Sequence, residues 1–209
     1  PELSAAIDAA GTMTEVEDLY RPYKQKRRTR GSIAREKGLE PLAEAIFAQD
    51  GRDPQALAQD YIDPEKGVNT AEEALQGAND IIAENLSDDA DIRKALRQLV
   101  MRRGTFTCKA AEDAEEDGVY RLYYDFCQPI PRLLDHQILA INRGEKEGIL
   151  KPAVTLTGNE GAALVCRSAL KPTAQVSAFV RTAAEDAYDR LIFPAIQREV
   201  RNELSDRAY

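Results

Sequence analysis

Histidine is almost missing from this chain: His136 is the only one in 209 residues. A histidine-rich metal site is thereby excluded, and a Ser-His-Asp or Cys-His arrangement would rest on that single side chain. His136 opens the apolar stretch HQILAI (residues 136–141), where a packed or surface role fits better than catalysis. Cysteine is scarce too. Cys108, Cys127 and Cys166 are odd in number, far apart and without a CxxC spacing, so neither a disulfide framework nor a zinc ribbon is indicated. They read as reduced, mostly packed thiols. No apolar run reaches about 18 residues, and no charged-then-apolar leader is seen. The expectation is a soluble, cytoplasmic protein with neither membrane span nor secretory signal. Phosphate loops are lacking as well. RGEKEG (residues 143–148) fits neither a Walker loop nor GxGxxG, because strands are expected on both sides of it. It reads as a hairpin loop whose glycines supply positive φ, with Arg143 and Lys146 projecting toward a phosphate backbone or a neighbouring domain. The acidic run AEDAEED (residues 111–117) reads as a solvated face or loop rather than a carboxylate metal site. No catalytic residue, metal or cofactor is expected.

What is present is helix-forming pattern. Hydrophobic residues make up 43% of the chain, enough for a real core. Thr14 with Glu17 makes a capping-box pattern ahead of Val16, Leu19, Tyr20 and Tyr23, a short amphipathic helix broken near Pro22. Gly38 is a C-cap candidate, Pro41 suits a first turn, and residues 50–69 read as short helical pieces and turns. Thr70 with Glu73 opens a helix whose Ala74, Leu75, Ala78, Ile81 and Ile82 form one apolar stripe. Ser87 is the expected cap of the next helix, with Ile92, Ala95, Leu96, Leu99 and Val100, and the two form a compact helical hairpin over residues 70–103. After Gly118 the pattern changes: residues 119–126 (VYRLYYDF), 136–141 and 149–157 predict a small antiparallel β unit, with Leu164 and Val165 as further strand residues. A long helical pattern returns over residues 176–204, interrupted at Pro194, where a kink or break is expected.

The strongest local signal is charge. Residues 21–37 hold eight Lys and Arg and one acid in a chain of formal net charge -8, so the remainder carries -15 (-8 minus +7). Such an island suits phosphate binding, through Arg21, Lys24, Lys26, Arg27, Arg28 and Arg30, and suits docking on the chain's own carboxylates equally well. Arg93 and Arg97, at i, i+4 spacing, would lie on one side of the second hairpin helix, where a DNA-reading helix carries such residues. The preceding helix is acidic at Glu72, Glu73, Asp80 and Glu84, which favours a structural or docking role for that hairpin.

The order of residues adds what charge alone does not. EDLYRPYKQKRRTRGSIAREKGLEPLAEAI (residues 17–46) closely resembles a signature segment of the bacterial Tex family of transcription accessory proteins. ALQGANDIIAE (74–84), residues 89–97, YDF (124–126), HQILAINRGEKEGIL (136–150) and DAYDRLIFPAIQREVRNEL (186–204) resemble further Tex blocks in the same order. The resemblance, to a family related to a eukaryotic transcription elongation factor, implies a mainly α, multihelical region with a helix-turn-helix-like subdomain and a small antiparallel β element. It also implies a longer protein continuing into RNase-H-like, helix-hairpin-helix and OB-fold RNA-binding domains. A chain that opens on Pro1 without Met and stops at Tyr209 fits such a piece. The expected division is residues 1–69, with the basic segment; 70–118, helix-turn-helix-like; and 119–209, the β element and long C-terminal helices packing with 1–69.

Two functions follow. One is a non-enzymatic nucleic-acid-associated module, binding RNA or DNA weakly because the family's principal binding domain lies elsewhere, through Arg21, Lys24, Lys26, Arg27, Arg28, Arg30, Arg93, Arg97, Arg143 and Lys146. The other is a helical scaffold that positions the missing domains of its own full-length chain or contacts the transcription machinery. No membrane partner is expected.

Overall fold

Capping chemistry sets most helix limits in a computed structural model that describes residues 2–23, 28–171 and 177–209. After α1 (Glu2–Asp8), α2 (Met13–Tyr20) begins where the Thr12 hydroxyl accepts the Glu15 N–H at 3.1 Å. That start precedes the Thr14–Glu17 pattern, because Glu15 also reaches back to accept the Gly11 N–H at 2.9 Å. A 3₁₀ turn over Arg21–Tyr23 follows, as expected near Pro22. α3 (Arg30–Glu36) opens on a reciprocal box: Thr29 Oγ1 accepts the Ser32 N–H at 3.1 Å, and Ser32 Oγ accepts the Thr29 N–H at 2.7 Å. α4 (Glu40–Phe47) carries Pro41 in its first turn, and α5 (Pro54–Gln59) is capped by Asp53. α6 (Ala71–Ser87) starts under Thr70, whose hydroxyl accepts the Glu73 N–H at 3.2 Å. α7 (Ala90–Arg103) is capped by Asp89, which accepts the Ile92 N–H at 3.0 Å. Ser87 is not that cap: its hydroxyl donates to the Glu84 carbonyl at 2.8 Å and it stays inside α6.

The β element is one three-stranded antiparallel sheet of order β2-β1-β3. β1 (Thr105–Ala110) is its centre, β2 (Asp125–Pro129) pairs with it from Thr105↔Pro129 to Lys109↔Asp125, and α8 (Asp135–Lys146) leads into β3 (Leu150–Thr155), paired from Thr105↔Thr155 to Ala110↔Leu150. The Ala110 N–H donates to Tyr124 O at 3.2 Å and the Ala111 N–H to Ile149 O at 2.8 Å, which fixes the phase of both ladders. Pro129 and Pro152 therefore both fall where an edge N–H would point outward. The expected strand over HQILAI is a helix instead. Ile138, Ile141 and Gly144 recur at three-residue spacing and are buried, the Leu134 N–H donates to Gln137 Oε1 at 3.0 Å, and Gly148 (φ +77°) ends the element. RGEKEG is accordingly the end of α8 and its exit, not a hairpin loop.

Leu164 and Val165 also lie in a helix, α9 (Glu160–Ala169), where Val165, Cys166 and Ala169 form the buried face. α10 (Ala178–Asp186) runs through π-helical turns at Ala187–Ile192 into α11 (Phe193–Ala208). Pro194 accounts for that irregularity. It offers no N–H to the preceding turn, and the Phe193 N–H reaches back five residues to Tyr188 O.

Contacts divide the chain into two units, Pro1–Lys94 with Ala162–Phe193, and Ala95–Gly161 with Pro194–Tyr209. In the first, α6 is the axis: Ala74, Ala78, Ile81 and Ile82 are buried, and α3, α4, α5 and α10 pack along it. These four helices enclose the buried stripe of α6. Gly77 lets Leu39 in, since a Cβ there would collide with Leu39 Cδ1. In the second unit, Phe106, Val154, Ile138, Ile141, Ile196 and Val200 form the core beneath the sheet. Burying each such side chain contributes roughly 1.5–3 kcal/mol. The fold is mainly α with a small antiparallel sheet, as the sequence predicts.

Candidate nucleic-acid interface

The basic stretch enters α3 by docking on an acid. Thr29 Oγ1 donates to Glu84 Oε2 at 2.6 Å, Arg35 Nη1 donates to Glu84 Oε1 at 3.0 Å, and Arg35 Nη2 donates to Asn85 Oδ1 at 2.6 Å. Glu84 is 7% exposed, and the approach depends on Gly31, whose added Cβ would lie 2.8 Å from Glu84 Cδ. The acidic α6 face thus holds part of the island internally. Arg28 remains in water, 71% exposed and 3.6 Å from the equally open Glu36, a screened pair of little energetic value. Arg30 is exposed and Arg21 half-buried. Lys24, Lys26 and Arg27 lie outside the described residues.

Burial and hydrogen bonding pull in opposite directions on Asp186. Burial raises its pKa, but hydrogen bonds from Arg190 (Nη2 at 3.0 Å) and Asn79 (3.2 Å), with the charge of Arg30, hold the carboxyl below its ordinary value. A second acid, Asp80, accepts from Gln76 Nε2 at 3.0 Å and lies 3.8 Å from Arg190.

Arg93 and Arg97 do not form an exposed reading face. Arg93 is 1% exposed; its Nε donates to Asp18 Oδ1 at 3.2 Å and its Nη1 to Ser87 O at 3.1 Å. Arg97 is 6% exposed and pairs with Glu199 at 3.0 Å. An i, i+4 pair shares a face whichever way that face points, and here it points inward. Both guanidinium groups are committed to carboxylates. Lys94, 3.3 Å from Glu15, is exposed, as are Arg102 and Arg103 in the last turn of α7.

Arg143 and Lys146 are exposed in the last turn of α8, where the helix dipole favours cations, and neither has an ion-pair partner among the described residues. The same unit contains residues that the sequence reading passed over. Gln197, Arg198, Arg201, Asn202 and Ser205 of α11 line an open groove of about 520 Å³ against Glu145 and Pro152–Val154 of β3. Arg201 grips Glu145 through both oxygens, at 3.2 and 2.6 Å, donates to Asn142 Oδ1 at 2.9 Å, and sits 5.7 Å over the Phe106 ring. Beneath the sheet, burial pushes the Cys108 thiol up to about 11. Among the described residues no cluster of three or more His, Cys, Asp or Glu could hold a metal, and no helix is long and apolar enough to cross a membrane.

A family model described as Tex central region-like matches residues 49–209. "Uncharacterized protein YdcI" of Bacillus subtilis is 44% identical over 210 residues, covering 99% of this chain and 29% of its own length. "Transcriptional accessory protein Tex" of Neisseria gonorrhoeae is 37% identical over 154 residues, covering 73% of this chain and 20% of its own. Human "S1 RNA-binding domain-containing protein 1" is 28% identical over 215 residues, 94% of this chain and 21% of its own. The chain spans less than a third of the length of these relatives. The residue blocks from Glu17 onward carry the same resemblance, and with the family model matched from residue 49 to the last residue, this chain belongs to the Tex family.

Proposed function

We propose that the chain is a non-enzymatic, nucleic-acid-associated module of a longer Tex-like transcription accessory protein. The observation that carries this reading is the state of its surface cations: Arg143 and Lys146 stand exposed with no ion-pair partner among the described residues, whereas Arg35, Arg93 and Arg97 are committed to internal acids. Arg28 and Arg30 supply a second exposed pair. A relative named for transcription and another named for RNA binding support the same class of partner, with the remaining domains of the longer protein and the transcription machinery as further contacts. Fluorescence anisotropy of labelled RNA and DNA oligonucleotides against salt tests it. Four phosphate contacts predict a slope of log K against log salt of about -3 to -4, and charge reversal at Arg143 and Lys146 should reduce its magnitude by about 2. Salt-independent binding, or no change in that double variant, would refute it.

A second reading, a helical scaffold, is favoured by one specific observation: the docking of Thr29 and Arg35 on buried Glu84. It predicts that disturbing this contact lowers stability rather than nucleic-acid affinity.

A further inference from the structure

We infer that the groove along α11 takes a single nucleic-acid strand by its sugar-phosphate backbone, an assignment that rests on the module reading above. α11 has two faces. Ala195, Ile196, Val200 and Leu204 are buried, while Gln197, Arg198, Arg201, Asn202 and Ser205 recur at spacings of one and three and face the groove. A polar helical stripe of this length opposite a strand edge leaves a trench with no protein side chain filling it. Its volume, about 520 Å³, is in the range of sites that hold small ligands, so one strand fits where a duplex does not.

The charges suit an anion. Arg198 is exposed and has no hydrogen-bond or ion-pair partner among the described residues. Arg201 is committed to Glu145 and Asn142 and packs over Phe106, so Arg198 is the cation that meets a phosphate first, and Arg201 joins it only as Glu145 is displaced. Exposed Lys151 adjoins the groove through Pro152. Glu145 is the carboxylate lining the trench, and it opposes an anionic ligand.

The strand edge argues against a peptide. Gln197 Nε2 donates to the Val154 carbonyl at 2.7 Å, and Pro152 has no N–H to offer, so the ladder that β-strand addition needs is interrupted at two successive outward positions. No aromatic side chain lines the groove, so bases are not stacked and the strand is held without sequence preference.

The test is anisotropy of a fluorescein-labelled oligouridylate of about twelve nucleotides, with the blunt duplex of equal length as comparison. Arg198→Glu should weaken single-strand binding about tenfold, and Glu145→Gln should tighten it about threefold. Circular dichroism confirms folding, which exposed Arg198 does not support. Unchanged affinity in Arg198→Glu, or a duplex bound as tightly as the single strand, overturns the groove assignment. If Arg143 and Lys146 charge reversal still weakens binding in that case, the module reading stands alone; absence of all binding removes both.

Discussion

Replacing Gly31 by alanine should destabilise the first unit, against the direction that helix propensity gives. Alanine in the first turn of α3 gains at most about 1 kcal/mol over glycine. The added methyl, however, would lie 2.8 Å from Glu84 Cδ and 3.3 Å from its Cβ, and would collide with Oε2. Glu84 is 7% exposed and cannot swing aside without giving up the Thr29 hydroxyl at 2.6 Å and the Arg35 guanidinium at 3.0 Å. Hydrogen bonds to a charged group contribute about 1.5–3 kcal/mol each, and two lost bonds cost about 3–6 kcal/mol. Arg35 is 27% exposed and retains Asn85 and Glu40, so the lower part of that range applies. Subtracting the propensity gain leaves about 2–4 kcal/mol, and at about 2–4 °C per kcal/mol for a chain of this size the melting temperature should fall by about 4–16 °C. Thermal melting followed by far-UV circular dichroism reads the shift. In a Glu84→Ala background, where the obstacle is gone, the same glycine replacement should cost little or stabilise. A Gly31→Ala variant that melts at or above the parent would refute the docking of the basic stretch on Glu84.

At neutral pH a maleimide should label exposed Cys127 in the native chain while buried Cys108, its thiol pushed up to about 11 by burial, and buried Cys166 label after denaturation; equal native rates at all three would contradict the packing. Asp186 has a lowered pKa in the folded state, so its contribution is present above the ordinary carboxyl range and is lost as pH falls through the folded value. Asp186→Asn should therefore lower the melting temperature at neutral pH, with the difference from the parent shrinking as pH falls below the ordinary carboxyl range; a constant difference would count against the Arg190 and Asn79 contacts.

Local chemistry was legible in the sequence where it is decided within a few residues. Thr70 with Glu73 marks the start of α6, Pro194 marks the departure from α-helical bonding, and Gly38, with φ +76°, ends α3. HQILAI failed because a six-residue apolar run satisfies a strand or a helix, and the deciding feature, Gly144 and Ile141 on the buried side, is a tertiary one. β1 was overlooked although Phe106 and Cys108 alternate with Thr105, Thr107 and Lys109, since it follows α7 after a single glycine. The interface was less legible still. Whether Arg93 meets a phosphate or a carboxylate depends on Asp18, 75 positions away, and Arg201 owes its orientation to Glu145, 56 positions away. Charge and spacing are the same in either case. Two units each built from separated stretches likewise have no mark in a linear reading.

The prolines at the two edges of the sheet have a consequence for a chain that occupies less than a third of its relatives' length. A growing polypeptide exposes unpaired strands to one another before its later domains are complete, and an open edge would template pairing with whatever extended segment comes next. With Pro152 facing outward and the Val154 carbonyl already held by Gln197 on one edge, and Pro129 facing outward at the end of the other, neither edge offers an uninterrupted ladder. An extended segment arriving beside it meets no complete ladder to join.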